Sequence, residues 1–253
     1  MSKLPIEHRF IDLSDYGRPI ARLIANSLKD TRYTPIDVTV WFIISGLIAI
    51  ASILLGYYWS AAFFLIFKSI LDAADGELAR VKKTPSYTGR YLDSIADIIL
   101  NFCILSSIWY TTEVSFIFAI LAFLGIQLQG TLYNYYYVIL RNKCNGDTTS
   151  RVFEYKSPIA LEGEKQENVN ILFGIYKALY GQFDKLIYKL DSQAPYAKQF
   201  PKTLMTALST FGLGFQLLII SFMLVIGYID YIFNFFIVYT LMIFVFISIR
   251  KFL

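Results

Sequence analysis

Four aspartates that could share a metal site lie close together in the sequence, at Asp72, Asp75, Asp93 and Asp97. The first two are three residues apart and the last two are four apart, so each pair occupies one face of a helix. Pro85 lies between the pairs and ends the first helix, because proline cannot continue a helix interior. Folding the two helices back as a hairpin would point four carboxylates at one another. Like charges repel and carboxylate oxygens suit hard cations, so we expect magnesium, manganese or calcium between them.

The aspartates belong to a longer pattern of fixed residues. It reads D-x2-D-G-x2-A-R-x8-G-x3-D-x3-D and is filled without a gap by Asp72, Asp75, Gly76, Ala79, Arg80, Gly89, Asp93 and Asp97. This pattern resembles the signature of the CDP-alcohol phosphotransferases, also called CDP-alcohol phosphatidyltransferases, membrane enzymes that make many phospholipids. The resemblance implies that an alcohol attacks the alcohol-bearing phosphate of a CDP-linked donor and that CMP is released.

The resemblance also implies roles for the motif residues. Two Mg²⁺ or Mn²⁺ ions are expected to be held by the four acids, Asp72, Asp75, Asp93 and Asp97. Asp97 is in addition the expected general base, which accepts a proton from the acceptor hydroxyl. Gly76 and Ala79 have small side chains, which would let the nucleotide approach the helix closely. Arg80 could neutralise phosphate charge with bidentate geometry.

A second family element lies before the first apolar stretch. Many members carry Pro-Asn-x-x-Thr there, and in this chain Pro35 and Thr39 match while Ile36 replaces the asparagine. Thr39 is therefore a candidate substrate contact. Asp37 either substitutes for the asparagine as a polar contact or caps the following helix.

Four basic residues outside the motif are further substrate-binding candidates. Lys68 lies one turn before the motif inside an apolar stretch, where it could pair with an acid or reach a phosphate. Arg141, Lys143 and Lys202 lie at the expected cytoplasmic ends of two apolar stretches. They would bind an acceptor that is itself a phosphate ester. The alternative is that they only follow the positive-inside rule.

Several neighbouring polar and aromatic residues have structural interpretations. Glu77 is expected to face a loop. The tyrosines at positions 133 and 135–137 are expected to form an aromatic belt at headgroup level. Gln127, Gln129 and Asn134 could line an acceptor pocket or make interhelical hydrogen bonds.

The composition predicts a membrane protein. Of 253 residues, 56% are hydrophobic and 17% are charged, and the mean hydropathy is +0.52. The N-terminal residues contain no apolar region with a cleavage site, so no removable signal peptide is expected. Cys103 and Cys144 lie far apart and support neither a disulfide framework nor a zinc site. The lone histidine, His8, argues against histidine-based catalysis and most transition-metal sites.

The hydrophobic pattern predicts an all-α integral membrane fold that forms a single domain over residues 1–253. Six apolar stretches are long enough to cross about 30 Å of hydrocarbon, near 37–57, 60–81, 88–110, 114–141, 203–227 and 230–250. Residues 18–29 are amphipathic and predict a helix in the interface. Residues 143–202 would form a cytoplasmic insertion that begins as a loop and contains an amphipathic helix near 167–191, between the fourth and fifth spans.

The charge pattern predicts the orientation. The short links at one end of the spans contain only Glu113 and Asp230 as charged residues, whereas the loops at the other end are basic. The positive-inside rule therefore places both termini and the aspartates in the cytoplasm, which in a bacterium means an active site on the inner face of the inner membrane. The expected partners are a CDP-linked donor such as CDP-diacylglycerol, an alcohol acceptor and the lipid bilayer. The resemblance allows a homodimer, and no nucleic-acid partner is expected.

Two other functions remain open from the sequence. An intramembrane prenyltransferase also binds magnesium through Asp-rich helices. The Asp93-x3-Asp97 spacing is compatible with such an enzyme, but the positions of Gly76, Ala79, Arg80 and Gly89 are not. A cation or proton transporter is the other alternative. Transporters tend to place their sites near the midplane between broken helices, whereas these acids lie at helix ends beside basic loops.

The orientation can be tested by labelling single cysteines. In intact cells, Tyr58→Cys should react with an impermeant maleimide from outside, because residue 58 lies in a link without basic residues. Lys165→Cys should react only after permeabilisation. The opposite labelling pattern would overturn both the span assignment and the cytoplasmic location of the aspartates.

Overall fold

The computed structural model describes residues 4–144, 154, 156–197 and 200–252, and the regular structure within them is entirely helical. Ten α-helices follow one another in the described ranges: α1 Arg18–Leu28, α2 Pro35–Leu54, α3 Tyr58–Lys82, α4 Tyr87–Tyr110, α5 Phe116–Lys143, α6 Gln166–Leu190, α7 Lys202–Leu208, α8 Leu213–Val225, α9 Ile232–Thr240 and α10 Met242–Phe252. Short 3-10 turns separate some of them, and a further one at Leu13–Asp15 precedes α1. The predicted all-α class is confirmed.

The predicted count of six spans is confirmed only in part. Among the described residues, four helical segments are long and apolar enough to cross a membrane: α2, α4, α5 and Ile229–Phe252, which contains α9 and α10. A fifth candidate is the pair Lys202–Phe211 and Leu213–Val225, which is bent by 53° at Gly212. Helix α3 has 25 residues and is about 37 Å long. It falls short on composition alone, because its C-terminal half carries the charged motif.

The hairpin of α3 and α4 has clear local causes. Lys83 ends α3 in the left-handed conformation (φ 56°), and Pro85 follows two residues later. The Ser86 hydroxyl then caps α4 by accepting a hydrogen bond from the Gly89 backbone N–H at 2.8 Å. The two aspartate-bearing helices are thus joined by a short connection, as the sequence predicts.

Helix α2 begins with a capping box. The Thr34 hydroxyl accepts from the Asp37 backbone N–H at 3.2 Å, and an Asp37 carboxylate oxygen accepts from the Thr34 N–H at 2.7 Å. Of the two alternatives for Asp37, the structure therefore supports the cap. Helix α2 packs on α3 and α4, and Gly46 allows this, since a Cβ there would lie 2.9 Å from a Leu100 methyl group.

Both segments that the sequence predicts to be amphipathic helices are helical in the structure. The predicted interfacial helix is α1, which buries Ala21 and Ala25 against the bundle and leaves Leu23 70% exposed. The predicted helix near 167–191 is α6. Residues 145–153 and 155, within the predicted loop before α6, lie outside the described residues.

Candidate active site

Three of the four motif aspartates, two on α3 and one on α4, converge at one cavity. Asp72, Asp75 and Asp93 each offer a carboxylate oxygen, and these oxygens lie within 4.8 Å of one another. Asp75 is buried and the other two are half-buried. The Asp93 Oδ1 atom is buried and has no hydrogen-bond partner among the described residues. Three hard oxygen ligands, one of them unsatisfied, fit a divalent cation such as Mg²⁺ or Mn²⁺.

Asp97 has a different partner. Its Oδ1 atom accepts a hydrogen bond from the ammonium group of Lys68, which is completely buried. The same ammonium lies 5.0 Å from the centre of the Phe42 ring. Of the two alternatives for Lys68, the structure supports pairing with an acid. Asp97 therefore lies beside the three-acid group as half of an ion pair, and its predicted role as a metal ligand stays a prediction.

Thr39 supports the acid cluster from α2. Its hydroxyl donates to Asp75 Oδ2 at 2.7 Å, and the side chain is buried. A hydrogen bond of this kind orients a carboxylate ligand and satisfies one of its lone pairs. Thr39 does not line the cavity described next, so the structure places it behind Asp75.

The acid cluster lies at the wall of a cavity of about 400 Å³, a size typical of small-molecule sites. Its walls come from α3, α4, α5, α6 and α8 and from the segment before α1. Gly214 lets that N-terminal segment approach, because a Cβ on this glycine would lie 2.0 Å from the Ser14 carbonyl oxygen. All four motif aspartates line the cavity.

The remaining motif residues occupy the α3 side of the site. Gly76 and Arg80 line the cavity, and a Cβ at Gly76 would lie 3.6 Å from an Arg80 nitrogen, so the glycine leaves room beside the guanidinium. The Arg80 Nε atom is buried without a hydrogen-bond partner among the described residues. Ala79 is half-buried and lies outside the lining.

The interpretation of Glu77 as a loop-facing residue is wrong. Its side chain is only 2% exposed and pairs with Arg18 at 2.7 Å and with Arg80 at 3.1 Å. A third guanidinium, that of Arg22, lies at 3.7 Å. Arg18 also lines the cavity. The sequence did contain an indication of a basic surface that could pair with an acid. Arg18 and Arg22 are four residues apart, which places both on one face of α1.

The three basic candidates for acceptor binding lie outside the cavity lining. Arg141 is buried and lies 5.7 Å from the Tyr137 ring. The Lys143 ammonium donates to the Ala197 carbonyl oxygen. Lys202 is exposed at the start of α7. Contact between these residues and an acceptor stays a prediction.

Helix α5 contributes more than the sequence indicated. The aromatic-belt interpretation is wrong for Tyr133, Tyr135 and Tyr136, which are buried. Tyr133 and Tyr137 line the cavity, as do the amides of Gln127 and Asn134. Both alternatives for the glutamines are realised, because Gln129 instead makes interhelical contacts and donates to the Thr240 hydroxyl at 3.0 Å.

Helix α6 forms a wall of the cavity, and the sequence had not identified any of its side chains as site residues. Tyr176, Tyr180 and Asp184 line the same cavity as the aspartates of the motif. The Tyr180 hydroxyl donates to the Ser94 carbonyl oxygen at 2.9 Å. Burial raises the pKa of Asp184 to about 7, and the nearby negative charge of Glu154 adds to this effect.

Comparison with known proteins agrees with this geometry. The family model described as CDP-alcohol phosphatidyltransferase matches residues 32–160, which is about half of the chain and includes α2 to α5. No curated protein matches the chain.

The acid cluster predicts a measurable metal affinity. Asp93→Asn should weaken Mn²⁺ binding, measured by electron paramagnetic resonance titration of the purified protein, by a hundredfold or so, because it removes a charged ligand. Thr39→Val should weaken it by about ten- to a hundredfold through the lost hydrogen bond to Asp75. Asp230→Asn, an exposed acid in a distant link, is the matched control and should bind as the parent protein does. Parent-like affinity in Asp93→Asn would rule out this cluster as the metal site.

Proposed function

The chain belongs to the CDP-alcohol phosphatidyltransferase family, and on this premise we propose that it transfers a phosphoalcohol group, phosphatidyl in particular, from a CDP-linked donor to an alcohol acceptor in phospholipid synthesis. The observation that carries the proposal is the convergence of Asp72, Asp75 and Asp93, whose carboxylate oxygens lie within 4.8 Å of one another at the wall of a cavity. The family match alone would not require this geometry.

The reaction forms one P–O bond and breaks another. The acceptor oxygen attacks the donor phosphorus that carries the alcohol group, and the bond from that phosphorus to the CMP oxygen breaks. The acceptor proton passes to a carboxylate, and CMP leaves with the bond electrons. Asp72, Asp75 and Asp93 would hold Mg²⁺ or Mn²⁺, which would supply positive charge to stabilise the diphosphate and the leaving oxygen.

Two residues of α3 suit donor binding. Arg80 lines the cavity and has a buried Nε–H without a partner among the described residues, so a phosphate oxygen would satisfy this donor. Its other contact, with Glu77 at 3.1 Å, fixes the direction of the guanidinium. Gly76 leaves open space beside it, where a side chain would lie between the helix and a nucleotide.

Asp97 suits the role of proton acceptor. It lines the cavity, and Lys68 engages its Oδ1 atom. The ion pair thereby orients the carboxylate and leaves Oδ2 for the acceptor hydroxyl. A positioned carboxylate of this kind typically contributes about 10²–10⁴-fold to the rate. Lys68 is in this account a positioning residue for Asp97.

The proposed location follows from the helices. Several are apolar enough to cross a membrane, so the protein is a multi-pass membrane protein. We place the aspartate end at the cytoplasmic face, because the basic loops lie at that end. The donor's diacylglycerol chains would then remain in the bilayer while its diphosphate enters the cavity.

The proposal predicts metal-dependent CMP release. Purified protein in detergent should release CMP from CDP-diacylglycerol or CDP-choline when it is given a panel of alcohols with Mg²⁺, and chelation with EDTA should stop the reaction. Asp72→Asn and Asp97→Asn should each lower the rate by about a hundredfold or more, whereas the exposed-acid control Asp230→Asn should not. Substantial CMP release by Asp72→Asn or by the chelated protein would contradict the proposal.

A further inference from the structure

Helix α6 carries part of the cavity wall although it lies outside the region that matches the family. The match ends at residue 160, and α6 covers Gln166–Leu190. Tyr176, Tyr180 and Asp184 nevertheless line the same cavity as the motif aspartates. A wall built by a segment outside the shared region is a natural place for substrate selectivity that is particular to this chain.

The three residues share one face of α6. They follow one another at intervals of four, which places them in a row along the helix. Tyr180 anchors the row beside the motif, because its hydroxyl donates to the Ser94 carbonyl oxygen at 2.9 Å and Ser94 follows Asp93 in the chain. Asp184 lies one turn further, about 6 Å along the helix axis. Its carboxylate therefore lines the same cavity as the motif aspartates, one helical turn beyond the residue that contacts α4.

The ends of α6 are fixed to the bundle. Before the helix, a Glu164 oxygen accepts from the Ser86 hydroxyl at 2.8 Å and from the Thr88 N–H at 2.6 Å, which ties it to the start of α4. After the helix, Asp191 is buried and accepts from the Arg250 Nε at 2.7 Å. Because both ends are anchored, the Asp184 carboxylate is held in place rather than delivered by a moving lid.

The charge of the cavity wall identifies the kind of acceptor. Seven carboxylates line the cavity, those of Asp12, Asp15, Asp72, Asp75, Asp93, Asp97 and Asp184. Among the described residues, only two cationic side chains line it, Arg18 and Arg80; both pair with Glu77, and Arg18 also pairs with Asp15. Bound divalent cations would offset the charge of the motif aspartates but not that of Asp184, so a phosphate-ester acceptor would meet an uncompensated carboxylate there. An acceptor with a positive charge would reduce the repulsion.

Asp184 in particular lacks a compensating charge. No lysine or arginine in the described part of the chain forms an ion pair with it, and the charge that acts on it most is that of another acid, Glu154. A buried carboxylate without a cation or sufficient hydrogen bonds is costly. The raised pKa of Asp184, about 7, reflects this cost, and a ligand ammonium would remove it.

We propose that Asp184 binds the ammonium group of an amino-alcohol acceptor and so selects acceptors that carry an amine near the reacting hydroxyl. This inference rests on the proposed transferase function and adds the acceptor class to it. The hydroxyl reacts at the motif as described above, while the ammonium stays at Asp184 and is not consumed. Arg141, Lys143 and Lys202 have no part in this arrangement.

Ethanolamine and ethylene glycol form a matched pair of acceptors that differ only in an ammonium against a hydroxyl. CMP release from CDP-diacylglycerol should show a higher kcat/KM for ethanolamine in the parent protein. Asp184→Asn should lower kcat/KM for ethanolamine by about ten- to a hundredfold and change that for ethylene glycol by less than about threefold. Glu167→Gln is the matched control, since Glu167 is exposed on the same helix outside the cavity lining, and it should leave both values unchanged.

A second measurement needs only the parent protein, so the inference can be tested even if Asp184→Asn does not fold. Ethylamine, which has no hydroxyl to react, should inhibit competitively against ethanolamine, and ethanol at the same concentration should not. The inference fails if ethylamine does not inhibit, if Asp184→Asn affects both acceptors equally or neither, or if glycerol phosphate is preferred over ethanolamine. If the parent protein releases CMP with no acceptor at all, the proposed transferase function itself fails. This result can be told apart from the others because every other outcome depends on which acceptor is present.

Discussion

Repulsion between like charges in an apolar protein is the constraint on which this structure depends. Four aspartates face one cavity between two helices of a chain that is 56% hydrophobic. The buried ammonium of Lys68 neutralises one of them, Asp97. The other three carry no cationic partner among the described residues, which is costly unless ions or substrate charges complete the site. The electrostatics of the cluster therefore favour bound cations, independently of any family resemblance.

The surrounding elements hold these charges in register. The Ser86 cap and the short connection around Pro85 join α3 to α4, so that both helices present their aspartates to one cavity. The Thr39 hydroxyl on α2 donates a hydrogen bond that orients Asp75. Glu77 forms ion pairs with an arginine on α1 and another on α3, Arg18 and Arg80. The nearby basic residues pair with Glu77 and Asp97. Among the described residues, no lysine or arginine therefore forms a salt bridge with Asp72, Asp75 or Asp93.

Local patterns were predictable from the sequence and long-range pairings were not. The motif spacing identified the hairpin, and amphipathic periodicity placed α6 within one residue of each observed end. Periodicity tells which face of a helix is polar, but not which element packs against that face. For this reason the burial of Glu77 against Arg18 and the entry of Asp184 into the cavity were missed. The six predicted spans are confirmed only in part, because the charges of α3 that form the site make this helix less apolar than the other candidate spans.

The central claim is that the three converging carboxylates hold divalent cations. The most direct measurement is an anomalous difference map from crystals of the protein grown with Mn²⁺, recorded on the two sides of the manganese absorption edge. The account predicts manganese peaks within about 2.0–2.6 Å of carboxylate oxygens of Asp72, Asp75 and Asp93. Manganese found elsewhere in the protein, with no peak between these three side chains, would contradict it.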